Sequence, residues 1–89
     1  MAKTYTFHTD PGHGWLEVPV ADAEKYCDPK ELSSYSYASK NLKVLYLEED
    51  CDAGTFLKGL KENGVEFSIE TQHTNEDHWI RRLPNFFFK

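Results

Sequence analysis

Long apolar runs, a cysteine framework and the common catalytic signatures are all missing from this chain. No segment approaches the roughly 20 consecutive apolar residues that span a bilayer, and the opening residues 1–8 lack the apolar core of a secretory signal. Both absences predict a cytoplasmic protein. The two cysteines, Cys27 and Cys51, form neither a C-x-x-C pair nor the dense cross-linking of a small secreted domain, which fits a reducing compartment; one bridge between them stays open. There is no G-x-S-x-G, no phosphate-cradling glycine loop and no dinucleotide fingerprint, so the common hydrolase and nucleotide chemistries have no foothold and no cofactor is implied. Positive charge is also short. With 10 Lys and Arg against 15 Asp and Glu, the net charge of −5 argues against direct binding to nucleic acid or to an anionic membrane and favours a partner with a cationic surface.

What the chain does contain is enough for one core. A length of 89 residues suits a single domain over residues 1–89. Aromatic residues make up 15% of it, and such large side chains fill a core that the few Ile and Val would leave thin, without help from metal or disulfide.

The apolar pattern alternates between strand and helix periods. Residues 4–8 set Tyr5 and Phe7 on one side and Thr4, Thr6 and His8 on the other, the period of a half-buried strand. Asp10-Pro11-Gly12-His13-Gly14 then supplies turn chemistry. Period two resumes over residues 15–20, with Leu16, Val18 and Val20 opposite Trp15, Glu17 and Pro19, so a hairpin is expected, Pro19 marking an edge strand or a strand end. Residues 21–26 favour a short helix that Asp28-Pro29 stops, with another turn expected at residues 30–32. Residues 34–37 and 42–47 read as a second hairpin, the latter run nearly continuous and therefore central. Ala53, Phe56, Leu57 and Leu60 then recur at helical spacing, with Asp50 or Asp52 as the cap and Asn63-Gly64 as the stop. A strand over residues 65–70 follows, with one wet face, and then a polar loop over residues 71–78. The order β-β-α-β-β-α-β predicts an α+β fold: a small antiparallel or mixed sheet of four to six strands, one main helix and one short helix.

Five constellations bear on function. His8, Asp10 and His13 lie around the first turn and could ligate a metal or act as acid and base, although their spacing matches no zinc motif and Asp10 is what a turn itself prefers. His73 and His78, with Glu76 and Asp77, could join them only if the later loop folded over that turn. Cys51 lies between Asp50 and Asp52, whose charges oppose thiolate formation, so no catalytic residue is assigned there. The run Glu48, Glu49, Asp50 and Asp52 is the main expectation. Asp50 and Asp52 suit a helix start, whereas Glu48 and Glu49 precede it and repel their neighbours, which suggests a partner-binding acidic surface extended by Glu66 and Glu70. Last, Trp15, Tyr35, Tyr37, Trp79, Arg81, Arg82 and the Phe86-Phe87-Phe88 tail are core or interface residues, and the tail is a candidate homodimer contact.

The segments HTDPGHGWLEV (residues 8–18) and YLEEDCDAGTFL (residues 46–57), with Ser34-Tyr35-Ser36-Tyr37 between them, resemble an uncharacterised family of small proteins from bacteria, their phages and plasmids. That resemblance covers most of the chain. It implies a setting rather than a reaction: accessory proteins of mobile elements commonly bind and block a host protein, anti-CRISPR inhibitors among them. The expectation from sequence is therefore a non-enzymatic protein-interaction domain that inhibits a host protein through an acidic surface. The alternatives are a small metal-dependent or acid–base enzyme at His8, Asp10 and His13, and a structural homodimer.

Overall fold

A computed structural model describes residues 3–27, 37–39, 43–49, 52–76 and 79–83. Strands β1 (Lys3–Thr9) and β2 (Gly14–Pro19) form the expected antiparallel hairpin, with Thr6 opposite Glu17 and Thr9 opposite Gly14. Asp10 makes the turn. Its Oδ1 accepts the amides of Gly12 and His13, each at 3.0 Å, and its own amide donates to the His13 carbonyl at 2.9 Å. Pro19 is a strand end rather than an edge residue: β2 is central, and α1 (Val20–Tyr26) starts directly after it, the Val20 amide donating to the Lys43 carbonyl at 2.9 Å.

Strand β3 (Tyr37–Ala38) pairs antiparallel with β4 (Val44–Glu48), and α2 (Asp52–Glu62) leads to β5 (Phe67–His73). A 3₁₀ turn follows at Trp79–Arg82. The sheet order is β3-β4-β2-β1-β5, antiparallel except where β5 runs parallel to β1. The fold is α+β with a mixed sheet, and α2 is the crossover that carries the chain from β4 past β2 and β1 to the far edge. It stops where the sequence placed the stop. Gly64 takes φ +68°, and the amides of Gly64 and Val65 reach back to the carbonyls of Lys61 and Leu60 at 3.1 and 2.9 Å, the paired bonds of a Schellman cap.

Both helices pack on one face. Tyr5, Leu16, Val18, Leu45 and Leu47 turn to that side, where Ala23, Ala53, Phe56 and Leu60 cover them. The opposite face carries a smaller cluster of Trp15, Tyr46 and Ile80, bordered by Tyr37, Val44 and Leu83. One boundary moves. Residues 71–73, expected in a loop, continue β5, because β1 offers partners as far as Thr9 opposite His73 and the Thr9 carbonyl accepts the Thr74 amide at 2.9 Å. The expectations for residues 28–36, Asp50, Cys51, His78 and the phenylalanine tail lie outside the described residues. Among the described residues no helix is long and apolar enough to cross a membrane.

Candidate functional site

Alternation along β4 splits the acidic run. Glu48 shares a face with Tyr46 and lies opposite Trp15, where it is buried, with its Oε1 3.7 Å from His13 Nδ1. Glu49, one residue later, is exposed and crosses to the helix side: its amide donates to the Gly14 carbonyl at 3.0 Å, and its Oε2 lies 3.2 Å from where a Gly14 Cβ would stand. Asp52 is the first residue of α2 and is buried with 2% exposure, as a carboxylate at the positive end of a helix can be when its polar atoms are satisfied. Glu48 and Asp52 are therefore buried, and the acidic run does not form the continuous exposed patch expected from the sequence. Glu66 and Glu70 are exposed but belong to the other edge, three inter-strand steps or about 14 Å from β4.

The histidines are also dispersed. His8 is buried on the face away from the helices, and its Nε2 lies 2.8 Å from Glu17 Oε1. A carboxylate only accepts, so this nitrogen carries the proton. Asp10 is spent on the turn. His73 Nε2 contacts Asn75 Oδ1 at 3.2 Å, and its Nδ1 shares a 2.7 Å hydrogen bond with the Thr9 hydroxyl. Among the described residues no three His, Cys, Asp or Glu side chains are placed to share an ion.

What the register does assemble is a row across the face away from the helices: Glu70, Thr6, Glu17, Tyr46 and Tyr37, one from each strand. Next to it run Gln72, His8, Trp15 and Glu48. Among the described residues, the 3₁₀ turn lies over the β4 and β2 side, where Ile80 is buried against Trp15 and Tyr46. Trp79 stands at the rim of that cover, its ring edge-on to Tyr46 at 5.2 Å and to His8 at 6.2 Å, with 49% of its surface exposed. Beyond the rim the sheet is open and polar: Thr4 and Ser68 share a 3.0 Å hydrogen bond, Glu70 and Gln72 are exposed, and the Glu17 side chain keeps 40% of its surface. Burial, reinforced by the Glu17 carboxylate, raises the Tyr46 phenol above its ordinary value, so it stays a neutral hydroxyl at physiological pH.

Trp79 was among the aromatic residues singled out from the sequence, and Glu17 was not. The alternation of Trp15 and Glu17 against Leu16 and Val18 puts Glu17 away from the helices, but its neighbours are set by cross-strand register. Comparisons with family models, curated proteins and solved structures return no match.

Proposed function

We propose that this domain is a non-enzymatic interaction module that takes a cationic segment of a partner protein on the open half of its sheet. The observation that carries the reading is Trp79, half exposed and edge-on to Tyr46 and to His8, whose Nε2 in turn bonds the Glu17 carboxylate. A guanidinium laid on the exposed indole would be held by the ring quadrupole, and Glu17 and Glu70, about 10 Å apart across two inter-strand steps, offer carboxylates to that cation and a second one. The net charge of −5 would steer such a partner in. Of the residues expected to bind a partner, Glu70 remains central. Glu49 and Glu66 add exposed charge at the periphery. In the mobile-element setting implied by the family resemblance, the module would work as an inhibitor, occupying a phosphate-binding groove of a host nucleic-acid-handling protein in the manner of an anti-CRISPR.

Titration of the purified protein with an oligo-arginine peptide, followed by isothermal calorimetry for every variant and by indole fluorescence for the parent, tests this directly. Trp15 is buried, so the change reports on Trp79. Trp79→Ala should weaken binding by roughly 3- to 30-fold, the range of a cation–π contact. Glu17→Gln with Glu70→Gln keeps an acceptor for His8 and should weaken binding while flattening its salt dependence. Affinity and salt slope identical to the parent in both variants would overturn the assignment.

A further inference from the structure

The outer edge of β5 is the longest stretch of unpaired backbone among the described residues. The Lys3 amide donates to the Glu66 carbonyl at 3.0 Å and the Thr74 amide to the Thr9 carbonyl at 2.9 Å. Backbone groups of a strand alternate sides, so Glu66, Ser68, Glu70, Gln72 and Thr74 face β1, while Phe67, Ile69, Thr71 and His73 direct their N–H and C=O groups outward. Among the described residues no strand lies on that side. Apart from the charge of Glu70, the edge also lacks the usual protections. The strand FSIETQH contains no proline, glycine or lysine, its register with β1 is unbroken from Phe67 to His73, and Ile69 is 41% exposed on it.

We infer that two copies of this chain pair through antiparallel β5 strands about a two-fold axis at Ile69, joining their sheets edge to edge. Charge chooses the register. A two-fold at Glu70 would set that carboxylate directly against its own copy, which is destabilising. A two-fold at Thr71 would leave Ile69 opposite His73, whose ring is already engaged by Thr9 and Asn75. Centring on Ile69 places Ile69 against Ile69, Phe67 against Thr71, and Glu70 against the Ser68 hydroxyl. Because Ile69 belongs to the outward-facing set, this pair exchanges both backbone hydrogen bonds, as do Phe67 and Thr71 on either side. The strand is thus its own complement, which a strand from an unrelated partner has no reason to be.

Such an axis stands perpendicular to the sheet and leaves both open faces on the same side. Glu17, Glu70 and Trp79 of each copy then belong to one surface, and a cationic partner engages two sites at once. This last consequence rests on the proposed function; the pairing itself does not.

Cysteine cross-linking tests the pairing. In a Cys27→Ser, Cys51→Ser background, Ile69→Cys puts two thiols on a hydrogen-bonded pair with Cα atoms about 5.5 Å apart, within disulfide range. Under a glutathione redox buffer it should cross-link in high yield, and Glu70→Cys and Thr71→Cys should not. Sedimentation equilibrium of the unmodified chain should show a dimer that added salt strengthens, since like-charged protomers repel. Ile69→Lys sets like charges opposite one another and should raise the dimer dissociation constant by about tenfold or more, with the melting curve of the monomer kept. Preferential cross-linking at Thr71, a dimer unaffected by Ile69→Lys, or a monomer up to about 1 mM would each overturn the proposal.

Discussion

The two faces of this sheet are made by the same strands and differ in what lies on them. On the helix side Leu16, Val18, Leu45, Leu47, Phe56 and Leu60 are fully enclosed, and Tyr5 meets Phe56 edge-on with centroids 5.3 Å apart. On the other side, among the described residues, a short turn packs on Trp15 and Tyr46, while Thr6, Glu17, Ser68, Glu70 and Gln72 are partly or largely exposed. The hydrophobic effect therefore acts mainly on the first face, and the second is left to chemistry that needs access to solvent. The clearest way to break that comparison is to truncate one aromatic on each face. Phe56→Ala should cost about 3–5 kcal/mol, much of the stability of a domain this size. Trp79→Ala, already half in water, should cost about 1 kcal/mol or less. Urea unfolding of both variants gives the two numbers, and equal losses would mean that the open face carries as much of the fold as the helix face.

A second contrast lies within α2. Gly59 sits against α1, where an added Cβ would run into the Tyr26 carbonyl, whereas a Cβ on Gly54 would meet nothing within 4 Å. Gly59→Ala should therefore destabilise by roughly 1–3 kcal/mol, since backbone cannot give way as a flexible side chain does. Gly54→Ala should stabilise by about 0.5–1 kcal/mol, because alanine loses less freedom in a helix. Two substitutions of the same kind, five positions apart, are expected to shift the thermal midpoint in opposite directions. Shifts of the same sign would show that helix propensity, not the approach of the two helices, governs this interface.

Period and punctuation account for what was legible from residues alone. The switch from alternation to helical spacing after Glu48 located α2, Asn63-Gly64 located its end, and Asp10-Pro11-Gly12 located the first turn; all three depend on near neighbours in the chain. Residues 71–73 have no apolar alternation to announce a strand, and only β1 holds them in one. The burial of Glu48 was hidden for the same reason: Trp15 and His13, which lie against it, come from β2 and the turn before it, far earlier in the chain. Adjacent acidic residues looked like one patch because a linear sequence does not display that a strand sends them to opposite faces. The row from Glu70 to Tyr37 exists only in the register.

The finest distinction between the faces is electrostatic, and two phenols report it. Tyr5, on the helix face, donates to Asp22 Oδ2 at 2.8 Å; burial first, then this hydrogen bond and the Asp22 charge, push its phenol far above the ordinary value. Tyr46, on the open face, is raised by burial first and then by the charge of Glu17. Ultraviolet titration should accordingly show tyrosinate forming at Tyr46 before Tyr5. Glu17→Gln should lower only the Tyr46 step, and Asp22→Asn only the Tyr5 step. Since each folded-state value lies above that of the unfolded chain, the neutral phenol stabilises the fold fully below about pH 10, and this contribution is lost as pH rises through the folded values. Tyr46→Phe and Tyr5→Phe should thus remove this pH dependence and flatten the alkaline limb of the stability curve, Tyr5→Phe over the higher range. A single coincident titration of both rings would mean that the open face is as dry as the core, and a water-accessible binding surface beside Glu17 would then be untenable.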